Sequence, residues 1–217
     1  MSKTSYEIET EFKKTSGACL LFGCLLATTT MAIHPNGGDI DHIIKIKSVL
    51  AFSHSIAIFC LPFIGFGFWG LSCILQTKGK LSTLAFNVFC FGLVAAMIAA
   101  TINGLALPYF ASQYTTVGDD ISTVKKIIGY GRAINISRAY IFIAATLTAI
   151  GICSLLIIRS GRLPRWLGYF GLFIIAFGIL SLFLKFNFTS LLGFRAFIFG
   201  IVSWKVLVGI NMLKNSH

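Results

Sequence analysis

Lys205 is the residue of this 217-residue chain most able to do chemistry. It stands ten residues after Arg195 and nine before Lys214, near the middle of an apolar run over 196–213. At 1.5 Å rise per helical residue those intervals are about 13–15 Å, beyond the easy reach of a snorkelling ammonium. A cation at bilayer mid-depth costs several kcal/mol and marks a functional site by default. The seven acids of the chain are Glu7, Glu9, Glu11, Asp39, Asp41, Asp119 and Asp120, and none lies inside a long apolar stretch. Lys205 therefore has no carboxylate partner in the membrane. It is either kept uncharged by its surroundings, or hydrogen-bonded to carbonyls, hydroxyls or an imidazole, or paired with an anionic ligand or lipid. The plainer alternative is a shifted helix, or one that lines a watery vestibule.

His54, between Ser53 and Ser55, falls in the outer third of the apolar run at 49–75. It reads as a hydrogen-bonded core histidine or as a proton acceptor near neutral pH. Of the four histidines only His54 is clearly intramembrane, so bis-histidine haem ligation has no support. In the run at 84–107, Gly92, Ala96, Ala100 and Gly104 recur every four residues, beside Ala95, Ala99 and Asn103. That spacing lets a second helix approach closely and lets Asn103 hydrogen-bond across the contact. The stripe serves either packing inside the bundle or a seam with a second copy or membrane partner. Asn87 and Asn103 read as buried amides that must find partners. Lys205, His54 and Asn103 are thus the candidate ligand-binding set.

His34, Asp39, Asp41 and His42 have side chains that suit zinc or manganese. Their spacing fits a turn (His34-Pro-Asn-Gly-Gly38) and a helix cap from Asp39 or Asp41 better than a metal motif. No nucleophile elbow, zincin helix or phosphate-binding loop occurs. A retinal-type Schiff base on Lys205 would lack its acidic counter-ion. No catalytic residue, metal or cofactor is assigned from the sequence.

The elements that must position these residues follow from composition. The chain is 56% hydrophobic and 12% charged, with a mean hydropathy of +0.86. A soluble domain carries about 25% charged residues. Six runs approach the roughly 20 apolar residues that a spanning helix needs: 17–33, 49–75, 84–107, 139–158, 166–184 and 196–213. They lack the alternation of a barrel strand. The expected fold is all-α, one polytopic bundle of about six transmembrane helices over 17–213, between a cytoplasmic N-terminal segment (1–16) and a short tail (214–217). The second run is long enough to tilt or to kink at Pro62. The third run should be central, since its small residues admit neighbours on more than one side. Asp119-Asp120 should open a separate amphipathic helix along the interface, with Ile121, Val124, Ile127 and Ile128 on one face and Gly129 and Gly131 ending it. All six cysteines fall within the spans and read as small packing residues. The first sixteen residues mix three acids with three bases, so the first run reads as a retained anchor.

The net charge of +11 is distributed between the spans, where lipid headgroups lie, and no basic patch interleaved with aromatics suggests nucleic acid. With the N-terminus inside, nine Lys and Arg face the cytoplasm and eight face outward. The dense Arg159, Arg162, Arg165 loop tips the balance to both termini inside. The sequons at Asn135 and Asn187 would then be external but lie close to spans.

Two motifs carry a resemblance. Arg162-Leu-Pro-Arg-Trp-Leu-Gly168 resembles a loop found in small bacterial multi-pass membrane proteins of unknown function. His34-Pro-Asn-Gly-Gly38, followed by His54 and by Asn103-Gly-Leu-Ala-Leu-Pro108, is similar to a pattern in uncharacterised bacterial membrane proteins. The resemblance implies a bacterial inner-membrane location and no activity. Three functions stay open: binding or transport of a small anionic or amphipathic molecule anchored by Lys205, which requires a cavity reaching it; a non-catalytic scaffold, which requires a filled core; and a membrane-embedded enzyme, which requires the outer His/Asp cluster to converge.

Overall fold

In lipid every backbone polar group must be satisfied internally, so apolar runs of this length become helices. A computed structural model describes residues 5–76, 80–114 and 121–214. The elements are α1 (Ser5–Ile33), α2 (Ile40–Lys45), α3 (Lys47–Ile74), α4 (Leu81–Ala100), a π-helical segment (Thr101–Ala106), α5 (Leu107–Gln113), α6 (Ile121–Ser160), α7 (Arg165–Phe183) and α8 (Leu191–Lys214). Six stretches are long and apolar enough to span a membrane: Glu9–Ile33, Lys47–Ile74, Leu81–Gln113, Ile121–Ser160, Arg165–Phe183 and Leu191–Lys214. The protein is all-α and multi-pass. Its outward Phe22, Phe52, Phe59, Phe91, Phe173 and Phe177 are surface that only a bilayer makes affordable.

The spans pack in a closed circuit. α1 lies on α3, α3 on α4, α4 on α6, α6 on α7, α7 on α8, and α8 on α1. The tightest seam joins α1 to α3. A Cβ on Gly67 would lie 2.5 Å from Leu20 Cβ, and one on Gly23 would lie 2.9 Å from the backbone of Ile64. α7 braces α6 and α8 from outside: Trp204 Nε1 donates to the Leu167 carbonyl at 2.9 Å, beside Gly171.

Two expectations are corrected here. The third span is the least buried of the six and forms one wall of the ring, while α6 and α8 are the most buried. The amphipathic segment after residue 120 is not a separate interfacial helix. α6 runs unbroken for 40 residues through Gly129 and Gly131. A glycine costs about 1 kcal/mol in a helix, and burial offsets that here. Val124 and Ile128 pack with Ile43, Leu50, Leu107 and Ala111, and Gly131 lets Leu107 come close. Ile121 and Ile127, by contrast, stay exposed. Asp119 and Asp120 lie outside the described residues.

At 1.5 Å per residue α6 is about 60 Å long, twice the hydrocarbon thickness. Its first half therefore rises beyond the bilayer. With α2, α5 and the start of α3 it builds a small helical cap on one end of the bundle. The described ends of the first and last spans, Ser5 and Lys214, lie at the other end, as an even number of spans requires.

Helix ends are closed by specific groups. The Asp39 carboxylate accepts from His42 N at 2.9 Å and caps α2. Gly161, at φ +63°, ends α6 in the left-handed conformation. Arg162 donates to the Ile74 carbonyl at 2.7 Å and so closes α3.

Candidate functional site

The circuit of spans is not filled. It encloses a cavity of about 790 Å³, lined by every helical element except α7. The lining runs along α3 from Leu50 to Ile64 and along α8 from Leu191 to Lys205. Fourteen residue steps on each helix correspond to a depth of roughly 21 Å. The lining is exposed at Gly37, Asp39 and Arg132, which mark the mouth, and buried at Lys205, the closed end.

Lys205 is 2% exposed. Its Nζ lies 4.7 Å from the ring centre of Phe89, which stacks on Phe68. The Cys24 and Cys60 thiols lie close enough to feel its charge. Among the described residues no carboxylate and no hydrogen-bond acceptor meets the ammonium. The acid on the cavity wall, Asp39, is at the mouth and is spent on its cap.

Higher up, the π-helical segment carries Asn103 and Gly104 against α3. His54 Nδ1 lies 2.9 Å from the Leu50 carbonyl, an acceptor only, so Nδ1 holds the proton. That leaves Nε2 to accept from Asn103 Nδ2 at 3.4 Å. A Cβ at Gly104 would fall 2.0 Å from His54 Cγ, so the imidazole occupies the space a side chain would need. π-Bulges are frequent at functional sites, and this one delivers Asn103 to the cavity.

The mouth has its own polar frame. The His34 and His54 rings lie 4.8 Å apart. Arg195 donates to the Met31 carbonyl at 3.0 Å and to the His34 carbonyl at 2.7 Å, closing the end of α1. Arg132 reaches from α6 to the Gly38 carbonyl. Burial pushes His34, which lies outside the spans, below the ordinary histidine value; a hydrogen bond from its ring to the Pro35 carbonyl opposes this and the Arg195 charge adds to it.

Of the residues singled out in the sequence, Lys205, His54, Asn103, Ala96 and Ala100 all line this one cavity. Gly92 faces Ala145 of α6, and Gly104 faces His54. The small-residue stripe thus looks into the bundle. Asn87 is not buried, as expected from the sequence, but exposed on the lipid side. His34, Asp39, Asp41 and His42 do not converge: Asp39 caps α2, His42 Nε2 lies 3.3 Å from the Asn36 carbonyl, and His34 turns to Pro35 and His54. Among the described residues no three His, Cys, Asp or Glu side chains come together as a metal site. All six cysteines are free. Asn187, the second sequon, accepts from Thr189 and Ser190 as a turn ahead of α8.

Thr30 was not foreseen. It is 2% exposed, lines the cavity, and its hydroxyl has no partner. The run Thr28-Thr29-Thr30 inside an apolar span was the signal available for it. Comparisons with protein-family models, with curated proteins and with solved structures give no match.

Proposed function

We propose that this membrane protein binds a small anionic or amphipathic molecule in the cavity and moves it into or across the bilayer, with Lys205 as the anchor. One observation carries the reading: a buried lysine with no counter-ion among the described residues faces a deep, apolar-walled cavity. An uncompensated midplane cation is expensive, and a ligand anion is the group that would offset it. Pockets for small molecules are mostly apolar with a few placed polar groups and measure about 300–1,000 Å³, and this cavity has that character. A scaffold without chemistry needs no such space. The kinship with small bacterial multi-pass proteins, the inner-membrane location and the inward termini belong to the same proposal, supported by the sequence motifs and the arginine loop. In that orientation the mouth opens outward.

The test is native mass spectrometry of wild type and Lys205→Met, both gently extracted. A small anion or amphiphile retained by the wild type and lost from the variant is the expected result. Two identical, empty spectra would return the protein to the scaffold reading.

A further inference from the structure

We infer that the ligand is a monocarboxylate with an elongated apolar body, seated with its carboxylate at Lys205 and its chain toward the cap. This rests on the reading of the cavity as a ligand site and names the class of molecule it takes.

Four features select that class. The first is charge count. Lys205 is the one cation at the closed end among the described residues, and no acid opposes it. A single negative charge makes a neutral pair there. A phosphate monoester, at about −1.5 to −2, leaves excess charge in an apolar floor, and a neutral alcohol leaves the lysine uncompensated.

The second is hydrogen bonding. A carboxylate has two oxygens with about four acceptor sites. Lys205 supplies the ammonium donors that would meet them at the closed end.

The third is shape. The cavity is roughly 21 Å deep by the helix rise, and between its ends it is walled by Ala27, Ala57, Leu61, Leu93, Ile198 and Val202. A compact ion would leave this wall in contact with nothing, whereas a chain or flat ring system fills it. The upper polar groups, Asn103 and His54, then meet the far end of the molecule.

The fourth is depth. Lys205 is about 13–15 Å from either helix end. The headgroup of a resident bilayer lipid stays at the interface and does not reach it. The acid must therefore leave water or lipid and travel carboxylate-first past Arg132, down a path with no opposing acid after Asp39.

The experiment uses the full chain in nanodiscs of zwitterionic lipid. Affinities are measured for dodecanoate, dodecyl phosphate and dodecanol, three probes with one chain and different heads, on wild type and Lys205→Met. Dodecanoate should bind the wild type about ten- to a hundredfold more tightly than either of the others, the worth of one charge-assisted interaction. In Lys205→Met its advantage over dodecanol should vanish, and dodecanol reports whether the variant still accepts a chain. A tighter dodecyl phosphate, or a carboxylate preference that survives Lys205→Met, overturns the assignment while leaving an anion site in place. Displacement of dodecanoate by nanodiscs containing phosphatidylglycerol overturns it in favour of a lipid headgroup. If none of the three probes binds, the cavity reading itself falls.

Discussion

Lys205→Met should make the empty protein more stable, against the usual direction for a buried substitution. A lysine at the centre of a spanning helix costs about 2.5–3.5 kcal/mol on insertion scales. What the fold returns is its approach to Phe89, 4.7 Å from the ring centre. A cation–π contact is worth about 0.5–2 kcal/mol. No hydrogen bond or ion pair among the described residues adds to that. The balance is a penalty of about 0.5–3 kcal/mol. Methionine is unbranched and adaptable, so it fills the lysine stem's place beside Phe89 without a new cavity. Stripped of bound amphiphile and unfolded reversibly in mixed micelles, Lys205→Met should therefore exceed the wild type by about 0.5–3 kcal/mol, about 2- to 160-fold in the folding equilibrium. The wild type should recover the difference when ligand is added, since ligand binding to the native state adds RT ln(1 + [L]/Kd). A stripped Lys205→Met less stable than the stripped wild type would show that the ammonium is held by the protein itself, and the argument for a ligand anion would fail.

Gly104→Ala should cost about 1–3 kcal/mol by overpacking, because the new methyl would fall 2.0 Å from His54 Cγ. In a His54→Ala background most of that cost should disappear, so additive effects in the double-mutant cycle would rule out the contact. Arg195→Met removes two donors from carbonyls at the end of α1 and should lower stability by about 1.5–3 kcal/mol in chemical unfolding, with Arg195→Lys intermediate; an unchanged midpoint for Arg195→Met would refute the cap. The histidine at the mouth predicts a pH dependence. Burial holds His34 below its unfolded value of 6.5, so the unfolded chain binds the extra proton first. Its contribution is therefore complete above about pH 6.5 and is lost as pH falls. Thermal unfolding should show a weaker acid-side decline in His34→Asn than in wild type; parallel profiles would show that His34 titrates as in water.

Length, hydropathy and the position of its few acids were enough to read an all-α membrane protein with six spans and a lysine stranded at mid-depth, because the bilayer tests every residue of a span one at a time. Local chemistry was legible too: Asp39 caps its helix from a turn whose residues announce it. What stayed hidden is which face of each span looks inward. In a soluble protein the apolar stripe of a helix gives that away. In lipid both faces are apolar, and hydrocarbon attracts leucine as well as a protein core does, so the outward Phe91 and the buried Phe89 of α4 read alike. The third span was placed at the centre for its small residues, yet it forms a wall and is the least buried of the six. The α6 glycines looked like a stop, yet Leu107 and the cap buried the helix through them. Thr30 and Arg195 gained meaning only when distant helices met, Thr30 at a cavity that no single span outlines and Arg195 at carbonyls 161 and 164 residues away in the chain. Transfer from water to lipid is decided residue by residue and can be read in order along the chain; packing between equally apolar helices is decided by shape, and only the assembled bundle has that.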